Sequence, residues 1–156
     1  MNEINIKRMV LAGLAMLVMW VAVAILIQIL FEQVIAPVFF EQTAQEMWLE
    51  IIEPGDRRAL NFWVESFTSL LNCTLLIWLY ASLRPMYGVG TKTALITSAF
   101  GVILGFSLYV NLISLGLIPL KLGLIEAVCE GIEFPIAMLA GAAIYEGQEK
   151  WGRPAE

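Results

Sequence analysis

Three glutamates lie within one strongly apolar segment near the carboxyl end of this 156-residue chain. Glu126, Glu130 and Glu133 are spaced i, i+4 and i+7, so an α-helix would carry their carboxyl groups on one stripe. A carboxylate inside a bilayer is costly, at about 2.5–3.5 kcal/mol for an aspartate at a helix centre, and therefore rarely faces lipid. Small residues, which allow close helix packing, continue the stripe. We therefore expect this stripe to face other protein.

Polar residues with similar spacing occur in the other apolar segments. They are Glu65, Ser69 and Asn72 in the second segment, Ser107, Asn111 and Ser114 in the third, and Gln28 with Glu32 at the end of the first. In an antiparallel bundle, all of these stripes fall in the same half of the membrane as the glutamates. The sequence therefore predicts a pocket with Gln28 and Glu32 at its mouth, lined by Glu65, Ser69, Asn72, Ser107, Asn111, Glu126, Glu130 and Glu133.

The chemistry of such a pocket depends on how its acids are neutralised. No Lys or Arg lies deep in a predicted span. Like charges this close cannot all ionise in a low dielectric, so we expect some of the carboxyls to hold protons. Three interpretations stay open. The glutamates bind a cation or a cationic organic solute, they relay protons, or they are protonated and join helices by hydrogen bonds, with Glu126 reaching the interface.

Residue composition argues against most other chemistries. The chain has no His, which removes a common metal ligand and the usual base of a catalytic triad. Cys73 and Cys129 are isolated within apolar segments, where they are expected to be small buried side chains. The net charge of −5 disfavours nucleic acid as a partner. We predict a non-enzymatic protein with no catalytic residues, no metal site and no cofactor.

The elements that must position these residues are membrane-spanning helices. The chain is 60% hydrophobic and 15% charged, whereas soluble domains are roughly 45–50% apolar and about 25% charged. A helix needs about 20 mostly apolar residues to cross a bilayer. Four segments satisfy this requirement, at about 9–31, 62–83, 93–117 and 124–145. They predict a single transmembrane domain over residues 1–156, an all-α bundle of four spans.

The loop after the first span is predicted to contain a short amphipathic helix. Thr43 and Glu46 form a capping-box pattern that opens a helix at about 44–53, and Pro54 with Gly55 ends it. Its acidic and apolar residues fall on different faces, as in a helix that lies at the membrane surface. It either covers the mouth of the bundle or offers a docking surface to a partner.

The distribution of basic residues predicts the orientation. If the amino terminus is cytoplasmic, the inner segments hold six basic residues and the outer segments three, which favours two cytoplasmic termini. The inner ones are Lys7, Arg8, Arg84, Lys92, Lys150 and Arg153, and the outer ones are Arg57, Arg58 and Lys121. A cleaved signal peptide is the alternative for the first segment, because Ala22-Val23-Ala24 fits a cleavage site. The apolar run continues to Phe31, which favours a retained helix.

Prolines and glycines indicate the turns. Pro119 and Gly123 predict a short turn between the third and fourth spans. Residues 84–92 predict a tight cytoplasmic turn, since their glycines lack the spacing of a phosphate-binding loop. Pro135 is expected to loosen or kink the fourth helix near the glutamates.

The segment from Leu79 to Gly105, LYASLRPMYGVGTKTALITSAFGVILG, resembles the central part of small uncharacterised bacterial inner-membrane proteins with four helices. The long first span and the outer loop with aromatic residues extend this resemblance. It implies a four-helix fold and an inner-membrane location, and it implies no catalytic or binding residues.

Two functions follow from these observations as expectations. The first is a membrane protein whose outward-opening acidic pocket takes a proton, a cation or a cationic solute. The second is an accessory or assembly subunit of a larger membrane complex, with structural, protonated glutamates. The expected partners are the lipid bilayer and either a larger complex or further copies of the chain.

Overall fold

The computed structural model describes residues 5–31 and 57–147, without the side chains of residues 57–62. The described residues form four helices, with turns between the second and third and between the third and fourth, which confirms the all-α prediction. These are α1 (Ile6–Leu30), α2 (Arg57–Tyr87), α3 (Thr91–Ser114) and α4 (Leu120–Glu146). The predicted surface helix at about 44–53 and the predicted mouth residue Glu32 lie outside the described residues.

All four helices are long and apolar enough to cross a membrane. The spanning segments are Ile6–Leu30, Trp63–Tyr87, Thr91–Ser114 and Leu120–Glu146. At 1.5 Å per residue, the 25 residues of α1 extend about 37 Å, which exceeds the roughly 30 Å of hydrocarbon in a bilayer. Large apolar side chains such as Val18, Phe67 and Leu104 are more than 60% exposed. These features are those of a multi-pass membrane protein.

Local capping explains why α1 begins three residues before the predicted span. The side-chain oxygen of Asn5 accepts a hydrogen bond from the backbone N–H of Arg8 at 3.1 Å. This contact satisfies one of the N–H groups that the first turn of a helix leaves without a partner. The helix therefore includes Lys7 and Arg8, which a reading of apolar residues alone assigns to the preceding segment.

The turn between α3 and α4 differs from the prediction. Gly116 has a φ of +70°, which ends α3 at Ser114. The N–H of Gly116 donates to the carbonyl of Ile113 at 2.9 Å, and that of Leu117 donates to the carbonyl of Leu112 at 3.0 Å. This is the Schellman pattern, which favours glycine at the position with positive φ. Because α4 begins directly after Pro119, the predicted turn residue Gly123 lies inside the helix.

The four helices form a ring in which α1 contacts α2 and α4, and α3 also contacts α2 and α4. Fewer contacts cross the ring between α2 and α4. An added Cβ at Gly13 in α1 would meet Thr74 of α2, and one at Gly101 in α3 would meet Leu76 of α2 and Phe134 of α4. Neighbouring helices are antiparallel, so the bundle has two distinct ends.

We call the end where α2 finishes and α3 begins the closed end, and the end where α3 finishes and α4 begins the cavity end. Most of the buried core lies toward the closed end. It includes Met16, Ile77, Tyr80 and Met138, whose side chains are fully buried. Toward the cavity end fewer side chains are buried, and a space remains between the helices.

Candidate functional site

A cavity of about 400 Å³ lies between the helices at the cavity end. All four helices contribute to it. The lining residues are Trp20, Ala24, Ile27, Gln28 and Phe31 from α1, Glu65 from α2, Tyr109 from α3, and Ile125, Glu126, Cys129, Glu130 and Glu133 from α4. Organic ligands of small size occupy pockets of roughly 300–1,000 Å³, so this cavity can hold one.

Of the lining residues that the structure describes, four are glutamates and none is a lysine or an arginine. The three from α4 fall at the spacing i, i+4 and i+7, so the helix brings them to one side of the cavity. Glu126 and Glu130 are half-buried, whereas Glu65 is exposed. The described part of the lining is therefore rich in acidic groups.

Glu133 is the most deeply buried of these acids, with 6% of its surface exposed. Its Oε2 accepts a hydrogen bond of 2.7 Å from the indole N–H of Trp20 in α1. The Trp20 ring stacks on Phe134 with 5.7 Å between ring centroids. Together these contacts fix the Glu133 carboxyl at the inner limit of the cavity and join α1 to α4.

Glu130 is held differently, between α4 and α3. Its Oε1 accepts a hydrogen bond of 3.1 Å from the hydroxyl of Tyr109. Among the described side chains, its Oε2 is a buried oxygen without a hydrogen-bond partner. A buried polar atom of this kind is unusual, because such groups are costly to leave unsatisfied. This oxygen is packed against α3 at Gly105, so the Glu130 carboxyl has hydrogen-bonding capacity that the described side chains leave unused.

Gly105 of α3 makes room for the Glu130 carboxyl. A Cβ added at Gly105 would overlap Oε2 of Glu130. Gly105 also forms a Gly-x-x-x-Gly pattern with Gly101, a spacing that lets membrane helices pack closely. The structure gives it a second property, since the absence of a side chain here lets the acid lie against the α3 backbone.

Gly105→Ala should therefore move the Glu130 carboxyl toward the cavity while leaving the bundle folded. The carboxyl is the far end of a flexible side chain, and Ala favours a helix over Gly by about 1 kcal/mol. We expect faster modification of Glu130 by a hydrophobic carbodiimide, measured by mass spectrometry. Gly131→Ala is the control, because a Cβ there meets nothing within 4 Å. Equal rates in both variants would contradict this placement.

The structure brings only some of the predicted pocket residues together. Gln28, Glu65, Glu126, Glu130 and Glu133 line the cavity, whereas Ser69, Asn72, Ser107 and Asn111 are not among the lining residues. Ser107 and Asn111 are exposed on α3. They donate to the backbone carbonyls of Ile103 and Ser107, at 2.7 Å and 2.8 Å. These bonds within the helix satisfy the polar side chains without any partner from another helix.

Three lining aromatic residues were absent from the predicted site, Trp20, Phe31 and Tyr109. The signal that identifies Trp20 is its spacing with Ala24, Ile27 and Phe31, which follow it at i+4, i+7 and i+11 and all line the cavity. One stripe of α1 therefore faces the cavity over three turns. Tyr109 carries no comparable signal, because it lies singly within an apolar segment.

No metal site is formed by the residues that the structure describes. No group of three or more Cys, Asp and Glu side chains in these ranges is arranged to hold a metal ion.

At the closed end, a buried ion pair joins α2 to α4. The guanidinium of Arg84 lies 2.8 Å from Oε1 of Glu146, whose side chain is 1% exposed. The guanidinium also lies over the ring of Tyr145, 5.8 Å from its centroid. The neighbouring Tyr80 meets Tyr145 edge-on, and its hydroxyl accepts the N–H of Gly90 in the α2–α3 turn at 3.2 Å. This network closes the end of the bundle that lies away from the cavity.

Comparison with known proteins adds no assignment to this geometry. The chain has no significant match among protein-family models, curated protein sequences or solved structures.

Proposed function

We propose that this protein is a non-enzymatic, multi-pass membrane protein that binds a cation in its glutamate-lined cavity. One observation carries the proposal. Among the described residues, four glutamates and no basic residue line a 400 Å³ cavity, and one of these acids, Glu130, has a buried oxygen without a hydrogen-bond partner. A cation that enters this space is attracted by the carboxyl groups in surroundings of low dielectric, where attraction between charges is strong.

The proposal includes an orientation. The basic residues favour cytoplasmic termini, which places the closed end at the cytoplasmic face of the inner membrane and the cavity end at the outer face. The cation then enters from outside. The ion pair between Arg84 and Glu146, together with the buried core, separates the cavity from the cytoplasm. The cation is a proton, an inorganic ion or a positively charged organic solute.

Neutralising the acids should abolish cation binding without unfolding the bundle. A bound ligand raises stability by about 2.7 kcal/mol when its concentration is 100 times the Kd. We therefore expect saturating tetramethylammonium, potassium or sodium to raise the Tm of the purified protein, and expect Glu130→Gln and Glu133→Gln to remove the rise. Glutamine keeps an oxygen that can accept from Tyr109 or Trp20, so both variants should fold.

Ser107→Ala is the matched control for these variants. Ser107 lies toward the cavity end and is exposed, but it does not line the cavity. Its removal should leave the cation-dependent rise in Tm unchanged. The proposal would be overturned if the Tm of the wild-type protein responds to none of these cations and its dependence on pH is the same in the Glu130→Gln and Glu133→Gln variants. A rise that persists in the Glu130→Gln and Glu133→Gln double variant would also overturn it.

A second candidate is an accessory subunit of a larger membrane complex, and Asn72 favours it. This carboxamide is exposed near the middle of the spanning part of α2. An exposed Asn inside a bilayer gains from a hydrogen bond to another transmembrane helix. Co-purification of a stoichiometric membrane protein after mild solubilisation, lost in Asn72→Leu, would support this role. Recovery of the chain alone would count against it.

A further inference from the structure

The cavity combines two chemically different surfaces, and this combination narrows the class of cation that fits. α1 contributes Trp20, Ala24, Ile27 and Phe31, a set that we call the apolar strip. Because their spacing follows one face of a helix, the four side chains form a continuous surface. α4 contributes the acidic surface, with Glu126, Glu130 and Glu133. A ligand in the cavity meets both surfaces at once.

A small inorganic cation uses only one of these surfaces. The cavity volume of about 400 Å³ equals that of roughly a dozen water molecules at about 30 Å³ each. A potassium or sodium ion would leave most of that space to water, and water against the apolar strip is unfavourable. The described residues also provide no cluster of three metal-ligating side chains.

We propose that the preferred ligand is an organic ammonium ion that carries an apolar alkyl or aryl group. This proposal rests on the proposed function and specifies its substrate class. The ammonium group lies at the glutamates of α4, whose carboxyl groups attract its positive charge. The apolar group lies on the strip of α1. The rings of Trp20, Phe31 and Tyr109 border the cavity and add cation–π attraction.

The hydrogen bonds of the site support this division of roles. Trp20 donates its N–H to Glu133, and Tyr109 donates its hydroxyl to Glu130. An indole has no other hydrogen-bonding group, so its ring offers a ligand apolar and cation–π contacts. The pocket therefore presents acceptor oxygens and aromatic surface, and no described lining residue carries a positive charge that would attract an anion.

The test is a series of ligands that differ only in the length of the apolar group. Binding of tetramethyl-, butyltrimethyl- and hexyltrimethylammonium to the purified protein in nanodiscs is measured by calorimetry, beside potassium. Burying one methylene contributes about 0.8 kcal/mol, so affinity should rise about fourfold for each added methylene. Empty nanodiscs correct for partition into lipid, and butanol and hexanol serve as uncharged analogues.

A pair of alanines in α1 provides matched variants. Ala24 lines the cavity, whereas Ala22 is exposed on the outside of the same helix. Ala24→Leu fills space beside the apolar strip and leaves every carboxyl in place. It should lower the affinity for hexyltrimethylammonium at least tenfold, because fewer methylenes of the hexyl chain can be buried. The affinity for tetramethylammonium should fall less than threefold. Ala22→Leu should change neither.

The outcomes separate this proposal from the one on which it rests. If potassium or tetramethylammonium binds in a Glu130-dependent manner but affinity does not grow with chain length, the organic ligand is rejected and the cation pocket stands. If no cation binds, both proposals fail. If hexanol binds as tightly as hexyltrimethylammonium, the pocket does not select charge, and both fail in that case too.

Discussion

Glu146→Gln is expected to lower the free energy of unfolding by about 3 kcal/mol. Removing one partner of a buried ion pair costs about 3–5 kcal/mol, because it leaves the other charge uncompensated. The lower end applies here, since 23% of the Arg84 side chain remains exposed. Unfolding of the purified protein, titrated with a denaturing detergent, measures the loss. The same substitution also loosens the contact of Arg84 with Tyr145.

A double-mutant cycle tests whether this loss comes from the pair. Arg84→Met combined with Glu146→Gln removes both charges, so it should lose much less stability than the two single losses added together. Lys92→Met is the control, because Lys92 is an exposed basic residue near the same end of the bundle. Strictly additive losses, or a loss below about 1 kcal/mol in Glu146→Gln, would contradict the importance of the pair.

Gly141→Leu is expected to cost at least about 3 kcal/mol, beyond the usual 1–3 kcal/mol of overpacking. Even a Cβ at Gly141 would lie 2.7 Å from the end of Ile77, 2.9 Å from Cβ of Met16 and 3.2 Å from the backbone oxygen of Ala12. The Ile77 methyl can rotate away, but the two atoms of α1 can move only with their helix. α1 must therefore separate from α4.

The smaller variant Gly141→Ala keeps this prediction testable if the leucine variant does not fold. It should lose about 1–3 kcal/mol despite the gain of about 1 kcal/mol in helix propensity. Gly131→Ala in the same helix has open space around the added methyl, and it should be neutral or stabilising. Detergent-induced unfolding of the two variants gives the comparison. Equal stability would show that α1 and α4 do not pack as described.

The four helices could be predicted because each apolar run is longer than any soluble element requires. The ends of the helices depend on capping and on backbone conformation, which hydropathy does not predict. The Asn5 cap extended α1, and the positive φ of Gly116 ended α3 three residues before the predicted bound. Glycine and proline both indicated a turn, but only backbone geometry distinguishes Gly116, which ends a helix, from Gly123, which packs inside one.

For the candidate site, residue spacing predicted which side chains share a stripe but not the direction in which that stripe faces. The spacing i, i+4, i+7 places side chains on one stripe, but it does not say which way the stripe faces. The glutamates of α4 line the cavity, whereas Ser107 and Asn111 satisfy themselves on their own helix and are exposed. A short hydroxyl or carboxamide can bond to a carbonyl one turn back, which reduces the cost of facing lipid.

Long-range partners were the least predictable part. Trp20 and Glu133 are separated by 113 positions, and Arg84 and Glu146 by 62. Each residue can be explained without its partner, since Trp20 is an aromatic residue in an apolar span and Arg84 is a basic residue near a helix end. Nothing in the one-dimensional pattern indicates that they meet.

The ring arrangement of the helices has a consequence for the order of assembly. α1 and α4 are the first and last of the described helices along the chain, yet they pack against each other along their lengths. During synthesis, α1 is made long before α4. Until α4 is present, the face of α1 with Ala12, Met16 and Trp20 contacts lipid or an insertion factor. Such distant contacts slow folding, because a long loop must close before they form. We expect the carboxyl groups of α4 to enter the membrane last, when α1 is already inserted and offers the face against which α4 packs.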